Sequence, residues 1–290
     1  MPSLMQGLGQ TMLGHIRDGV LTIAVPLLFF AILGYFVKRG KLVSDVRAAL
    51  PETKINVFLL ILDQIVTLPV LVLLVGGLTG VIGKLGFAAA GLWDHVPVAI
   101  VVAAVVIAGD LAGYWRHRIE HSRILWPSHA VHHSDTALTW LTIFRFHPLN
   151  RTSTVLIDGA CLALLGFPPY AVLANTIVRH YYGAFIHADL PWQYGPFKKI
   201  FVSPVMHRWH HARDESSYGT NFATVFSLFD VVFGTYRVPG LCSAPLGLNE
   251  PMGEGVAGQL LYPLKSSVYF PGSRDEHADQ AAAQAALKIL

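Results

Sequence analysis

The chain has 290 residues and a formal net charge of +3, which is too small to indicate a nucleic-acid partner. Hydrophobic residues make up 53% of it and charged residues only 13%, about half of the ~25% found in soluble domains. Such a chain cannot cover a globular surface in water, so its surplus apolar surface is predicted to face lipid. Its two cysteines, Cys161 and Cys242, imply neither a disulfide framework nor a thiolate metal site, and any metal must be held by nitrogen or oxygen.

Three segments in the first part of the chain have the length and composition of membrane spans. Each is apolar over close to the ~20 residues that a bilayer requires. The predicted spans are Leu21–Val37, Asn56–Gly77 and Val96–Trp115. The first is not read as a signal peptide, because it lacks a basic start and a small-residue cleavage site and two more spans follow. Residues 1–115 are therefore predicted to be N-terminal transmembrane helices.

Basic residues follow the first and third predicted spans, whereas the loop between the second and third holds only Lys84. Cytoplasmic loops are enriched in Lys and Arg, so the N-terminus is predicted to lie outside and the chain after the third span to begin in the cytoplasm. We expect an integral protein of a bacterial inner membrane, although an endoplasmic-reticulum protein would show a similar pattern.

The apolar segment 154–178 is interrupted by Gly166-Phe167-Pro168-Pro169. It is too short for two full spans, and a single crossing would put the later histidines on the wrong side of the membrane. It is therefore predicted to be a helical hairpin that dips into the membrane, or lies in its surface, and returns. Residues 116–240 are predicted to form a histidine-rich domain that includes this hairpin. Residues 241–290 are predicted to be a tail that ends in a weakly amphipathic helix over Glu276–Leu290.

Eleven of the 14 histidines lie between His117 and His211. Residues three or four apart on a helix share a face, about 5–6 Å apart at Cβ, so motifs with this spacing direct imidazoles at a common ion. Eight imidazoles in three motifs exceed what one tetrahedral ion binds, and they predict two metal ions with open positions. The motifs are His117-Arg-Ile-Glu-His121, His129-Ala-Val-His132-His133 and His207-Arg-Trp-His210-His211.

Asp110 lies seven residues before His117 and is predicted to share the ligand face of the same helix. Ionisable groups inside membrane segments are functional hypotheses by default, and Asp110 is predicted to orient a ligand imidazole through its other ring nitrogen. The alternative is a snorkelling or helix-pairing carboxylate.

Three further histidines are candidates at the same site. His180 and His187 are seven residues apart and so share a helix face. His187 is predicted to bind a metal, and His180 either binds one or supports a ligand. His147 is expected to form a hydrogen bond or to shape the cavity.

At these motifs the chain resembles the fatty acid hydroxylase / sterol desaturase superfamily of membrane di-iron enzymes. The resemblance runs from Asp110 to Tyr236, a little under half of the chain. It comprises Asp110-Leu-Ala-Gly-Tyr-Trp-Arg-His-Arg-Ile-Glu-His121, Trp126-Pro-Ser-His-Ala-Val-His-His-Ser-Asp135, Arg145-Phe-His-Pro148, His207 to His211, Asn221-Phe222, Asp230 and Phe233-Gly-Thr-Tyr236. Phe229 departs from the family, which often has Trp there.

The resemblance implies an all-α fold: a polytopic membrane helical bundle with a cytoplasmic histidine-rich helical cap. It implies two iron ions, O₂ as co-substrate and a separate electron donor of the ferredoxin or cytochrome type with its reductase. The reaction it implies is hydroxylation or desaturation of a lipid C–H bond, with hydroxylation as our first choice. The implied ligands are His117, His121, His129, His132, His133, His207, His210 and His211, with His187 expected to join them and the role of His180 open.

Two other functions compete with this interpretation. A membrane zinc hydrolase of lipids would need fewer ligands and a clear general base, and Glu120 is expected to sit off the ligand face. A non-catalytic metal transporter would carry its histidines or carboxylates within the spans, whereas here only Asp63 and Asp110 are intramembrane.

Overall fold

The computed structural model describes residues 23–86, 89, 91–253 and 255–269. Within these ranges the chain is helical, with one isolated antiparallel bridge between Ala212 and Leu246 and no strand. The all-α prediction is confirmed for this part of the chain. The predicted helix over Glu276–Leu290 and the start of the first predicted span fall outside the described residues. The chain divides into two compact units, Met1–Ala48 and Ala49–Leu290.

The N-terminal helices are α1 (23–38), α2 (Leu42–Leu62) and α3 (Leu68–Lys84). The basic segment predicted as a loop between the first two spans is helical instead. It forms a 3-10 turn over Arg39–Lys41 and the first turns of α2, since its Ala, Leu, Arg, Glu and Lys residues are strong helix formers. Among the described residues, the helical stretch Ile23–Lys84 is one of two that are long and apolar enough to cross a membrane.

A π-helical segment, Asp63–Thr67, joins α2 to α3. Pro69 follows it within the first turn of α3. Proline has no N–H to donate to the carbonyl four residues earlier and its ring crowds that carbonyl, so the local hydrogen-bond register widens before it. The bulge interrupts the second predicted span, Asn56–Gly77, without ending it.

The core of the larger unit is built on α4 (Val98–Glu120), the second stretch capable of crossing a membrane. It begins two residues after the predicted start of the third span and continues five residues beyond its predicted end. Helices α6 (Pro148–Leu164) and α7 (Pro169–Ile186) pack against α4, and α3 packs against α6. Both α6 and α7 begin with proline at the first turn, where its missing N–H costs nothing.

The turn between α6 and α7 packs against the segment that precedes α4. The Ala89 N–H donates to the Leu164 carbonyl over 3.0 Å, and the Trp93 ring stacks on Phe167 with centroids 4.3 Å apart. Gly166 has a φ of +68°, and a Cβ there would lie 2.3 Å from the Ala89 carbonyl oxygen. The α6–α7 hairpin therefore runs along α4, and its turn lies at the opposite end of α4 from His117.

Four shorter helices complete the described unit: α5 (Trp126–His133), α8 (Pro204–His210), α9 (Leu228–Val232) and α10 (Gly255–Leu261). The Ser203 hydroxyl caps α8 by accepting from the Met206 N–H over 3.1 Å, as N-cap serines do. Met252 and Tyr262, from the segment predicted as a tail, pack with the apolar face of α5.

Candidate metal centre

Nine of the ten histidines predicted as ligands converge in two groups. In each group, one nitrogen of every ring lies within 4.8 Å of those of the others. The groups adjoin, because the rings of His133 and His211, one from each, stack with centroids 4.5 Å apart. The first group is His117, His121, His129, His133 and His210; the second is His132, His187, His207 and His211.

The two HxxHH motifs divide their rings between the groups. Helix α5 gives His129 and His133 to the first group, and His132 to the second. Helix α8 does the reverse, giving its middle histidine, His210, to the first group. Residues four apart share a helix face and the third residue is turned away from it, so each short helix contributes to both groups.

Backbone carbonyls select the tautomer of three rings. Nδ1 of His117 donates to the Phe222 carbonyl over 2.7 Å, and Nδ1 of His210 donates to the Thr220 carbonyl over 2.8 Å. Nδ1 of His187 donates to a carbonyl within α7 over 2.6 Å. A carbonyl oxygen only accepts, so Nδ1 carries the hydrogen and Nε2 presents a lone pair.

These lone pairs face one another at short range. Nε2 of His117 lies 3.0 Å from Nε2 of His210, and Nε2 of His187 lies 2.8 Å from Nε2 of His207. Where both rings carry their hydrogen on Nδ1, as in the pair His117–His210, no hydrogen lies between the nitrogens and the contact is repulsive. Two nitrogens bound to one ion at about 2.1 Å and at right angles lie about 3.0 Å apart, so a cation between them accounts for the spacing.

Burial keeps these rings neutral. Removal from water lowers the pKa of His129 to about 3 and the pKa values of His187 and His210 to about 4. Metal binding requires the neutral imidazole. The described nitrogens thus fit a metal ion better than they fit protons, although imidazole accepts iron, zinc, copper and nickel alike.

His121 provides a further sign that the first group fits an ion. Its Nε2 is buried, with no hydrogen-bond partner among the described residues. Buried polar atoms are nearly always satisfied. The centroid of the His121 ring lies 4.8 Å from that of His133 and 4.9 Å from that of His210. An ion bound in this group would therefore satisfy Nε2 of His121.

The structure does not bring Asp110 to an imidazole. The carboxylate is fully buried and accepts from the N–H groups of Thr224, Val225 and Phe226 at 2.7–3.3 Å. Arg179 is its charged neighbour, with Nε 3.5 Å away. The predicted contact with a ligand ring is not formed, because seven residues correspond to about 10 Å along a helix. Asp110 instead binds the loop at residues 220–226, and this loop also provides the Thr220 and Phe222 carbonyls that accept from His210 and His117.

His180 and His147 lie outside both groups. The His180 ring packs against Phe144 with centroids 5.4 Å apart, and it stands two turns before His187 on α7. His147 is the N-cap of α6, accepting from the Leu149 N–H at Nδ1 and donating from Nε2 to the Leu260 carbonyl. The hydrogen-bonding role that the sequence predicted for His147 is thus observed.

Two residues that the sequence analysis missed lie behind His129. The Asn150 side-chain oxygen is 3.2 Å from its Nδ1, and Glu120 Oε2 is 3.6 Å from the same atom. Glu120 was expected to sit off the ligand face. It does so on its own helix, yet it meets a ligand from α5, a contact that helix periodicity alone could not predict.

Glu120 begins a buried network of charges that links α4, α6 and α7. Arg116 donates to Glu120 over 2.6 Å and to Asp158 over 2.9 Å. Arg179 also donates to Asp158, over 2.8 Å, and lies beside Asp110. Ionic groups inside an apolar bundle are tolerated when they are paired, and this network joins the three helices beneath the histidines.

Replacing Asn150 with Leu is expected to weaken metal binding at the first group by about 10–100-fold, because residues that orient a ligand imidazole have effects of that size. Metal retention should be measured by titration with a chelator, and the second group should be unaffected. Asn175→Leu is the matched control, since Asn175 is also a buried asparagine but packs against Gly109, away from the histidines. Equal losses in both variants would contradict an orienting role for Asn150.

Comparisons with known proteins agree with this geometry. The family model described as fatty acid hydroxylase matches residues 102–235, which include all nine grouped histidines. The ornithine lipid hydroxylase OlsE of Rhizobium tropici is 29% identical over 173 residues, covering 59% of this chain and 52% of that protein. The alkylglycerol monooxygenase of Danio rerio is 32% identical over 145 residues, covering 50% of this chain and 32% of that protein.

A more distant similarity extends to a sterol desaturase. The delta(7)-sterol 5(6)-desaturase ERG3A of Gibberella zeae is 28% identical over 131 residues, covering 45% of this chain and 36% of that protein. No solved structure matches the chain. The matched segments thus span about half or less of the length of these relatives.

Proposed function

We propose that this chain, which matches the fatty acid hydroxylase family model over residues 102–235, is an integral membrane enzyme of that family that oxidises a C–H bond of a lipid. It holds two iron ions, one in each histidine group, and uses O₂ with electrons from a separate donor. The single observation that carries the proposal is the pair of adjoining groups of buried imidazoles, in which Nε2 atoms of neighbouring rings lie 2.8–3.0 Å apart. Hydroxylation is preferred to desaturation because relatives named hydroxylase and monooxygenase match over more of this chain.

Iron bound by the two groups would supply the reaction with O₂ that breaks an unactivated C–H bond. The chain's own residues bind the ions, set their spacing and exclude water. Buried apolar side chains, Tyr114, Ile186, Met206 and Phe222, pack together next to the ligands, and a dry site strengthens the electrostatic interactions within it. In hydroxylation one oxygen atom enters the lipid and the other leaves as water; in desaturation both oxygen atoms leave as water. Either outcome consumes electrons from the donor, a ferredoxin- or cytochrome-type protein with its reductase.

The geometry does not favour the two alternatives. A hydrolytic zinc site needs a free base beside the bound ion, but Glu120 faces Nδ1 of His129, the side of the ring away from Nε2, and is engaged by Arg116 and Ser153. A transporter would carry its ligands along a path through the spans, whereas the grouped histidines begin at the last turn of α4.

Activity should be tested with the full chain, loaded with iron and reconstituted with bacterial lipids and a reduced ferredoxin system. We expect an O₂-dependent lipid product that has gained one oxygen atom or lost two hydrogen atoms, detected by mass spectrometry. His207→Ala should abolish the product, because it removes a nitrogen that lies 2.8 Å from that of His187 in the second group. A product that forms equally without O₂, or at full rate in His207→Ala, would contradict the oxygenase proposal.

We place the histidine groups on the cytoplasmic side of a bacterial inner membrane, with α3, α4, α6 and α7 crossing it. The hairpin turn packs against the segment before α4, which supports two full crossings by α6 and α7 rather than a dip. Tyr170, Leu173, Ile177 and Tyr181 form an exposed apolar stripe on α7, at the spacing of one helix face. Lipid would cover this stripe.

This topology predicts opposite labelling at the two ends of the bundle. In a variant without Cys161 and Cys242, a cysteine at exposed Leu165, in the hairpin turn, should react with an impermeant maleimide on intact cells. A cysteine at exposed Ser216, near the histidines, should react only after the membrane is permeabilised. If the cysteine at Leu165 does not react on intact cells, the hairpin dips into the membrane and returns instead of crossing it. If the cysteine at Ser216 reacts on intact cells, the orientation is opposite to the one proposed.

A further inference from the structure

An apolar groove of about 530 Å³ lies beside the metal centre and contains none of its histidines. Four aromatic side chains, Tyr182, Tyr194, Phe197 and Phe201, line it. The Tyr182 hydroxyl already donates to the Val202 carbonyl over 2.8 Å. The volume falls within the about 300–1,000 Å³ of small-molecule sites, and the lining suits a hydrocarbon rather than a polar ligand.

The backbone is shaped to present one wall of this groove. Tyr194 and Gly195 both have positive φ, +61° and +52°, a conformation that is uncommon for a tyrosine. Pro196 follows and begins a short 3-10 helix, Gly195–Lys199. The turn leaves Phe197 58% exposed and Ile200 42% exposed, which is costly in water for two large apolar side chains so close together.

The groove adjoins the loop that is bound by Asp110 of α4. The Phe201 ring contacts that of Phe226 with centroids 5.8 Å apart, and the Phe226 N–H binds Asp110. Asp110 is the first ionisable residue of α4; the helix from Val98 to that point is wholly uncharged.

Two exposed lysines, Lys198 and Lys199, follow Phe197, a lining residue of the groove, in the sequence. Aromatic residues and lysines concentrate at the membrane–water interface, and lysines there attract anionic lipid headgroups.

We propose that this groove binds one acyl chain of an anionic phospholipid, whose phosphate is held by Lys198 and Lys199. The inference goes beyond the proposed function and depends only on the placement of α4 and α7 in the membrane. The site takes a lipid at the interface, next to the histidine groups, and it does so without O₂, iron or an electron donor.

The test is photo-crosslinking of the full chain in vesicles that contain phosphatidylglycerol with a diazirine on one acyl chain. We expect crosslinked lipid on the peptide covering residues 192–201. Replacing both lysines, Lys198→Glu with Lys199→Glu, should lower the yield there by at least about tenfold, because each lysine near an anionic surface adds a substantial attraction. Labelling confined to the α7 stripe around Leu173 would overturn the proposal.

A matched pair of variants separates the groove from its surroundings. Phe197→Asp puts a carboxylate into the groove wall, whereas Ile200→Asp puts one at an exposed position of the same segment that does not line the groove. The first should lower the yield about tenfold more than the second. Equal effects, an equal yield with phosphatidylcholine, or full competition by free fatty acid would each overturn a phospholipid site. Because crosslinking needs no turnover, failure of the oxygenase proposal would leave this readout unchanged.

Discussion

His129→Ala and His207→Ala are each expected to release metal from one histidine group and to retain it in the other. His129 contributes Nε2 to the first group, 3.0 Å from that of His117, and His207 contributes Nε2 to the second, 2.8 Å from that of His187. Wild-type protein loaded with iron should hold two ions per chain, and each variant should hold about one. Elemental analysis of detergent-purified protein gives the count, and activity should be abolished in both variants.

His180→Ala is the control for this experiment. His180 shares the α7 helix with His187 but packs against Phe144 instead of joining either group, so the variant should keep both ions. Loss of an ion in His180→Ala would return that residue to the ligand set. If neither His129→Ala nor His207→Ala changes the metal content, the two-group interpretation is wrong. One tightly bound zinc ion per chain would favour a hydrolase.

Asp110→Ala is expected to destabilise the protein by about 3–5 kcal/mol, the cost of removing one partner from a buried ionic contact. The change leaves the N–H groups of Thr224, Val225 and Phe226 without their acceptor and leaves Arg179 without one of its two carboxylate neighbours. Thermal unfolding in detergent measures the loss. The same loop supplies the Phe222 carbonyl that holds His117, so metal retention in the first group should fall as well.

Asp189→Asn is the matched control. Asp189 also pairs with an arginine, Arg208, over 2.6 Å, but its side chain is 33% exposed, and exposed pairs contribute at most about 1 kcal/mol. Asparagine also tolerates the positive φ of +54° at this position. If Asp110→Ala were as mild as the control and left metal retention unchanged, Asp110 would not be needed to hold this loop.

The sequence alone predicted the membrane helices and the grouping of the histidines. A charged fraction of 13% requires lipid to cover the apolar surface. The histidine spacings are equally direct, because residues four apart share a helix face wherever the helix lies. For the same reason, spacing alone assigns each of the pairs His117–His121, His129–His133 and His207–His211 to a common group.

The spacing of residues in the sequence could not predict the contacts between different helices. Helix periodicity shows which face a residue occupies, but the partner on that face depends on how the helices pack. The arrangement of α5 and α8 decides that His132 belongs to the second group and His210 to the first. The same holds for the approach of Glu120 to His129 and for the contact of Asp110 with the loop at residues 224–226.

Helix length was the second quantity that depended on packing. The apolar segment 154–178 is by itself too short for two crossings, yet α6 and α7 together extend from Pro148 to Ile186. Polar residues in α6 and α7 made the apolar segment appear shorter than the two helices are. Asp158 and Arg179 are paired inside the bundle, and a charge that is neutralised by a neighbouring helix no longer marks the end of a span. Pairing of this kind arises only when the helices meet. The sequence therefore determined the residue types of the site, and the packing determined which residues contact one another.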